Sequence, residues 1–283
     1  MKHICYYHAG CPDGFGAAWA IWRSWGRTGR YIARGHEDRA DLRLIDGAEV
    51  VFVDIAPHND EFALLAERAA RIVVLDHHVT AQQRFAADLC LQNQLSECDH
   101  HIHFDLDHSG AVLSWNHFHP DEPQPDLIRY IEDQDLWNWK LQRSDAVNAA
   151  IASLPFDFET WDALAERSAE SLAAEGEPIV RADTIEVRRS LQAAHPVALS
   201  AGRIEAVNAQ RCRGRIGHEL ASRATYNRPW GLVYRITGDR VDASIYSIGD
   251  LDVSEVAIQY GGGGHHNASG FSIPLKDWLC LLV

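Results

Sequence analysis

The sequence predicts an α/β protein, a parallel-sheet N-terminal domain followed by a smaller α/β domain. Three observations carry that prediction. Apolar runs of strand length alternate with stretches of helical spacing through the first hundred residues, the pattern of parallel strands joined by helical crossovers. Successive runs finish on acids or histidines, at Tyr7-His8, Val53-Asp54 and Leu75-Asp76-His77-His78. Beyond about residue 200 the rhythm changes to paired strands with a hairpin signal at Gly238-Asp239. A chain of 283 residues is long enough to give each of two domains its own core.

In chain order, Lys2 to Tyr7 reads as a strand ending at His8, and Phe15 to Trp25 as a helix with Ala17, Ala18, Ile21 and Trp22 on one side. His8 and Asp13 fall in the turn between them. Asp13 stands where an N-cap would, so capping is its alternative role. Cys11 reads as a small buried residue or a soft ligand. A second strand, Glu49 to Val53, ends at Asp54, and Pro57 opens a helix through about Ala70. The third, Ile72 to Leu75, ends at Asp76-His77-His78. On its own this triplet is equally a polar surface turn. In a parallel sheet, however, the carboxyl ends of the strands share one edge, where ligands bind. His8, Asp13, Asp54, Asp76, His77 and His78 are therefore expected to converge. Imidazoles and carboxylates gathered there are costly to desolvate, and a divalent cation offsets that cost.

Asp99-His100-His101 repeats the triplet but follows no apolar strand, and reads as a solvated loop leading into a strand at Ile102 to Phe104. Ser109 caps a helix through about Phe118, its open end suited to an anion. Asp126 to Trp139 begins as a helix. Asp133 and Asp135, two apart, cannot face one point on it, so one completes a metal site and the other faces outward. Trp137 and Trp139 are expected in the core. Further helices follow to about Ala194, interrupted at Pro155 and Pro178, with a linker near Ala194-His195-Pro196 or some twenty residues earlier. The C-terminal part carries strands at Arg203 to Val207, Trp230 to Thr237 and Arg240 to Ser247. Its helices are Gly217 to Thr225 and Asp252 to Tyr260, the latter followed by G-G-G-G-H-H-N-A-S-G-F. Four glycines there suit a backbone amide nest for phosphate oxygens; a plain flexible turn is the alternative.

Composition narrows the function classes. A net charge of −14 argues against wrapping long duplex nucleic acid, which needs a basic stripe. A small anionic substrate fits if metals supply positive charge. Sixteen histidines hint at metal or phosphate chemistry. The cysteines, Cys5, Cys11, Cys90, Cys98, Cys212 and Cys280, form no C-x-x-C pair, which fits reduced thiols in the cytoplasm. The N-terminus lacks the apolar segment of a signal peptide, and no stretch approaches the roughly 18 apolar residues of a membrane span.

The motifs H-A-G-C-P-D-G-F-G-A-A, F-V-D, L-D-H-H, H-S-G-A and I-E-D-Q-D-L-W occur in that order. With S-I-Y-S-I-G-D-L-D-V-S-E-V-A-I-Q-Y-G-G-G-G-H-H-N-A-S-G they make almost the whole chain resemble the DHH phosphoesterase superfamily with its DHH-associated C-terminal domain. The resemblance implies a metal-binding catalytic domain over 1–190, a linker at 191–200, and a substrate-binding domain over 201–283, with the active site in the cleft between the domains. It implies two divalent metals, manganese first and magnesium or cobalt as substitutes. Asp54 would bridge them, His8 would bind one, and Asp13, His77 and Asp133 the other. His78 would face the substrate phosphate, with Asp76 orienting its neighbours. Gly262, Gly263, Gly264 and His265, with His266, would hold the substrate.

Two positions depart from the family pattern. Cys11 stands where a first D-x-D-G acid is usual, so that metal site loses a hard oxygen ligand or uses the thiolate. Tyr246 stands where an arginine is common. The activity implied is two-metal hydrolysis of a short oligonucleotide or of a linear or cyclic dinucleotide, without a membrane partner and with a homodimer left open. The rivals are a pyrophosphatase or polyphosphatase using the same metals, and a nucleotide-binding sensor with a degraded site.

Overall fold

The computed structural model describes residues 1–36, 38–96 and 99–283. They form two compact units, Met1–Val180 and Arg181–Val283. In the first, β1 (Lys2–His8), β2 (Gly29–Arg34), β3 (Ala48–Val53), β4 (Arg71–Asp76) and β5 (His101–Phe104) build a sheet of order β2-β1-β3-β4-β5. Every neighbouring pair is parallel. The α/β class and its parallel sheet are therefore as the sequence predicts.

Side-chain alternation explains why both faces are covered. Ile4, Tyr6, Val50, Phe52, Ile72 and Val74 pack against Phe62, Leu65, Leu91 and Leu95 of the helices Asn59–Ala66 and Leu89–Ser96. Cys5, Val51, Val53, Val73 and Leu75 face the other way, onto Ala17, Ala18 and Ile21 of the helix Pro12–Trp25 and Leu113 of the helix Gly110–Phe118. A helical layer built round Trp19, Trp115, Ile128, Ile131, Val147 and Trp161 extends that side.

Within this unit, β2 is the strand that sequence reasoning overlooked. Its residues Gly-Arg-Tyr-Ile-Ala-Arg lack an apolar run because it lies at the sheet edge, where only Arg34 is fully buried. Arg34 is held by Glu61, with Nη2 to Oε2 at 2.6 Å, under the rings of Phe52 and Tyr6. Other boundaries also move. The helix expected from Pro57 to Ala70 runs only Asn59–Ala66. Pro178 lies inside the helix Ala169–Ser190 instead of ending it. Proline removes one ladder hydrogen bond there, and the alanine- and glutamate-rich flanks favour helix strongly enough to carry the loss. Trp137 is not core: it is 38% exposed, on a left-handed turn after the helix Asp126–Asp135.

The second unit contains β6 (His195–Leu199), β7 (Gly202–Asn208), β8 (Trp230–Thr237), β9 (Arg240–Ser247), β10 (Gly263–His265) and β11 (Ala268–Pro274), in the order β10-β11-β9-β8-β7-β6. All pairs are antiparallel except β7 with β8, which the helix Arg213–Arg223 connects. Residues 191–200 contain the edge strand β6 and belong to this unit's fold. The glycine tract closes a hairpin: Gly263, Gly264 and His265 pair with Gly270, Ser269 and Ala268. A Cβ on Gly262 would meet the Gly270 carbonyl oxygen at 2.0 Å, and Gly264 has φ +140°, so backbone packing alone requires glycine at both. Tyr246 lies against Gly217 of the helix Arg213–Arg223, where a Cβ would touch its ring. Among the described residues, Cys5, Cys11, Cys90, Cys212 and Cys280 are free thiols, while Cys98 lies outside them. Nor is any described helix long and apolar enough to cross a membrane.

Candidate metal centre

The sheet order itself selects the place. β1 and β3 are neighbours whose outgoing connections pass to opposite sides, which opens a crevice at their carboxyl ends. Tyr7 is opposite Val53, and Val53 is opposite Leu75. The next residues, His8, Asp54 and Asp76, therefore come to one row of the edge. Asp54 leaves the strand with φ +54°, a conformation that few non-glycine residues adopt, while its N–H still donates to the Leu75 carbonyl at 3.0 Å.

Asp54 is the hub and is 2% exposed. Its Oδ1 lies 3.0 Å from His77 Nε2, and its Oδ2 lies 3.2 Å from His8 Nδ1. Burial pushes its carboxyl up, but hydrogen bonds from His77 and His8 outweigh this and hold it well below the usual range. His77, 1% exposed, also stands 3.6 Å from Asp13 Oδ2 and 3.6 Å from Asp135 Oδ2. Burial alone would lower the His77 pKa; the Asp54 hydrogen bond and the charges of Asp135, Asp54 and Asp13 raise it well above the ordinary value.

Asp13 does not cap its own helix. Cys11 does, its Sγ accepting from Gly14 N at 3.2 Å. Asp13 instead accepts from the N–H groups of Gly110 at 2.7 Å and Ala111 at 3.0 Å, at the open end of the helix Gly110–Phe118. The helix end that the sequence offers to an anion is thus filled by a carboxylate of this chain. Burial, then the charges of Asp135 and Asp54, push the Asp13 carboxyl well above its usual range.

Asp76 is wholly buried. Its Oδ1 accepts from the His77 N–H at 2.8 Å and from His78 Nδ1 at 2.7 Å, fixing both histidines. Its Oδ2 has no hydrogen-bond partner among the described residues. Cys11 reaches the same place: its thiol donates to Asp54 Oδ2 at 3.2 Å and lies 3.5 Å from His8 Nδ1. Burial and the charges of Asp54 and Asp13 push that thiol well above its usual range, which keeps it protonated beside the acids.

Two residues enter that sequence reasoning did not select. Asp133 is not brought to this group; its carboxylate accepts from the N–H groups of Lys140 at 2.8 Å and Leu141 at 3.2 Å. Asp135 supplies the acid beside His77, with 30% of its side chain exposed at the rim. The I-E-D-Q-D spacing contained both acids, and only the helix azimuth separates them. The second is His36, in the turn after β2, its ring 4.8 Å from His8 and 5.9 Å from His78. Burial, with repulsion from His8 and His78, lowers its pKa to about 4. The unrecognised edge strand hid it. Gly262, Gly263, Gly264, His265 and His266 belong to the second unit, where His266 Nδ1 lies 3.5 Å from Asp252 Oδ2.

The donor chemistry fits divalent cations. One ligand atom each from His8, Asp54 and His78 lies within 4.8 Å of the others, and so do those of Asp13, His77 and Asp135. Four carboxylates, Asp13, Asp54, Asp76 and Asp135, crowd this edge, and among the described residues no arginine or lysine forms an ion pair with them. Nitrogen and oxygen donors of this kind suit manganese, magnesium, cobalt or zinc.

No family model matches the chain. It is similar to an uncharacterized protein of Acanthamoeba polyphaga mimivirus, 27% identical over 290 residues that cover 95% of this chain and 67% of that protein. Among solved structures it is similar to the pGpG-specific phosphodiesterase PggH from Vibrio cholerae, at 13% identity and a TM-score of 0.49, covering 98% of this chain and 95% of that one. It is likewise similar to an exopolyphosphatase-related protein from Bacteroides fragilis, at 12% identity and a TM-score of 0.49, covering 98% and 88%. Likeness at this level transfers no activity, and the fold rests on its own strand order and register.

Proposed function

We propose that the chain is a metal-dependent phosphodiesterase of the DHH phosphoesterase superfamily, acting on short oligonucleotides or on linear or cyclic dinucleotides. One observation carries the reading: the single Asp54 carboxylate turns one oxygen to His8 and the other to His77, between two three-residue donor groups. Asp54 would bridge two divalent ions, manganese by preference. His8 would hold one, with His78 beside it and Cys11 close by. Asp13, His77 and Asp135 would hold the other. When bound, such ions neutralise phosphoryl charge and activate water for phosphoester hydrolysis.

The chain's own side chains prepare that chemistry. Asp76 accepts from His78 Nδ1 and so orients the ring, which would face a phosphate oxygen or a cation. The Gly110 and Ala111 N–H groups fix the Asp13 carboxylate in orientation. The glycine hairpin of the second unit is the proposed hold on the substrate, and a homodimer is compatible with the reading.

The test is turnover by purified protein with manganese, against pApA, a longer RNA and pyrophosphate. Cleavage of pApA to mononucleotides is expected, and His77→Ala should abolish it while the circular dichroism spectrum is kept. Preference for pyrophosphate would favour the pyrophosphatase reading. Tight binding of a nucleotide without turnover would favour a sensor.

A further inference from the structure

We propose that His101, His103 and His117 form a zinc-type cation site at the outer edge of the first unit's sheet, apart from the group around Asp54. The D-H-H-I-H string that leads into the edge strand β5 supplies two of the three, and the sheet register decides where they face. His101 is opposite Val73, and His103 is opposite Leu75. Val73 and Leu75 pack on the face that the helix Gly110–Phe118 covers, so both imidazoles stand on that face, two residues apart on one strand. Ile102 and Phe104 alternate to the opposite core. On the helix, Leu113 packs against the sheet, and His117 follows it by four residues on the same side. His117 therefore reaches over the edge strand.

The rings meet at the spacings a shared cation needs. Ring centroids of His101 and His103 are 6.0 Å apart with planes at 22°, and those of His101 and His117 are 5.0 Å apart at 33°. Two imidazoles bound to one ion at about 2.0–2.1 Å hold their ring centres roughly 4.5–6.5 Å apart. His101 and His103 are exposed, so rotation about their side-chain bonds can turn one nitrogen of each onto the ion. Burial, then repulsion from His101, Arg71 and His103, lowers the His117 pKa to about 4; burial, His103 and Arg71 lower that of His101. A neutral ring keeps the lone pair that a cation takes. Arg71 opposes a cation, but Glu49 at 3.1 Å and Asp99 at 3.9 Å pair with it and blunt that effect. The adjacent His100 is otherwise engaged, its Nδ1 accepting from the Ile72 N–H at 3.1 Å. Nitrogen donors alone favour zinc, nickel or copper over manganese and magnesium, which prefer oxygen. The site thus selects a different metal from the carboxylate-rich group around Asp54. It ties the edge strand to the helix whose first turn holds Asp13. Polar residues that guard an edge strand are the plainer role.

The test titrates tag-free, EDTA-stripped protein by calorimetry, with zinc and separately with manganese. Zinc should fill one more site per chain than manganese does, whatever the group around Asp54 takes up. The double variant His101→Gln/His117→Gln should lose that extra zinc or bind it about tenfold or more weakly. Its manganese titration and its urea midpoint in EDTA should match the wild type. If that midpoint falls, the exposed His103→Gln carries the comparison, and it should weaken the extra zinc in the same direction. Equal zinc and manganese counts in the wild type, or an unaltered zinc titration in both variants, would overturn the site and leave the histidines as edge guards. Turnover of pApA is read separately, so failure of the edge site and failure of the phosphodiesterase reading are told apart.

Discussion

At Asp54 three polar side chains compete for one carboxylate: His8, His77 and the Cys11 thiol. The thiol is the odd partner, since it is a poor ligand for a hard cation while protonated and a soft one when ionised. Cys11→Asp would place a fifth carboxylate against Asp54. Without metal, like-charge repulsion in a buried site should lower the melting temperature by a few degrees; with manganese the extra oxygen should tighten binding. Melting curves in EDTA and in manganese check both signs, and an unchanged metal titration would place Cys11 outside the site. The strand-end acids and histidines were legible residue by residue. His36 was not, because a histidine in an irregular turn carries no periodic signal.

Among elements, the junction of the helix Gly110–Phe118 with the end of β3 and the start of the helix Pro12–Trp25 leaves no room for a side chain. A Cβ on Gly110 would lie 2.6 Å from Asp54 Cβ and 2.9 Å from Asp13 Oδ2, both immobilised by burial and hydrogen bonds. Gly110→Ala should cost about 1–3 kcal/mol of stability through overpacking and weaken manganese binding as well, measured by urea denaturation and calorimetry. The helix Asp126–Asp135 offers a second comparison. Successive residues turn by about 100°, so acids two apart point to nearly opposite sides. Asp135→Ala should weaken manganese binding more than Asp133→Ala does. Asp133→Ala should chiefly lower stability, by about 1–2 kcal/mol, through the Lys140 and Leu141 N–H groups it leaves without an acceptor. Sequence spacing shows that one acid is turned away, and only the helix rotation shows which.

For the whole molecule, four acids crowded at one edge repel one another, and divalent cations held there would relieve that repulsion. Manganese at a hundredfold excess over its dissociation constant should add about 2.7 kcal/mol of stability, visible as a raised melting temperature that EDTA reverses. A melting temperature indifferent to manganese, magnesium and cobalt would remove the metal centre altogether. The acidic balance of the chain, −14, contributes in the same direction, since self-repulsion weakens the compact state.

The sequence by itself determined the α/β class, the three strands that end in acids or histidines, the hairpin of β8 and β9, and the expectation that His8, Asp13, Asp54 and His77 meet. Those features are local or periodic, and burial of both sheet faces leaves its mark directly on residue type. The tertiary structure alone decided that β2 completes the sheet edge, that Asp13 caps a helix nearly a hundred residues away, that Asp135 and not Asp133 stands beside His77, and that Trp137 stays outside the core. Each depends on which direction a side chain points once distant elements have packed, and that direction is fixed by neighbours no local stretch of sequence names.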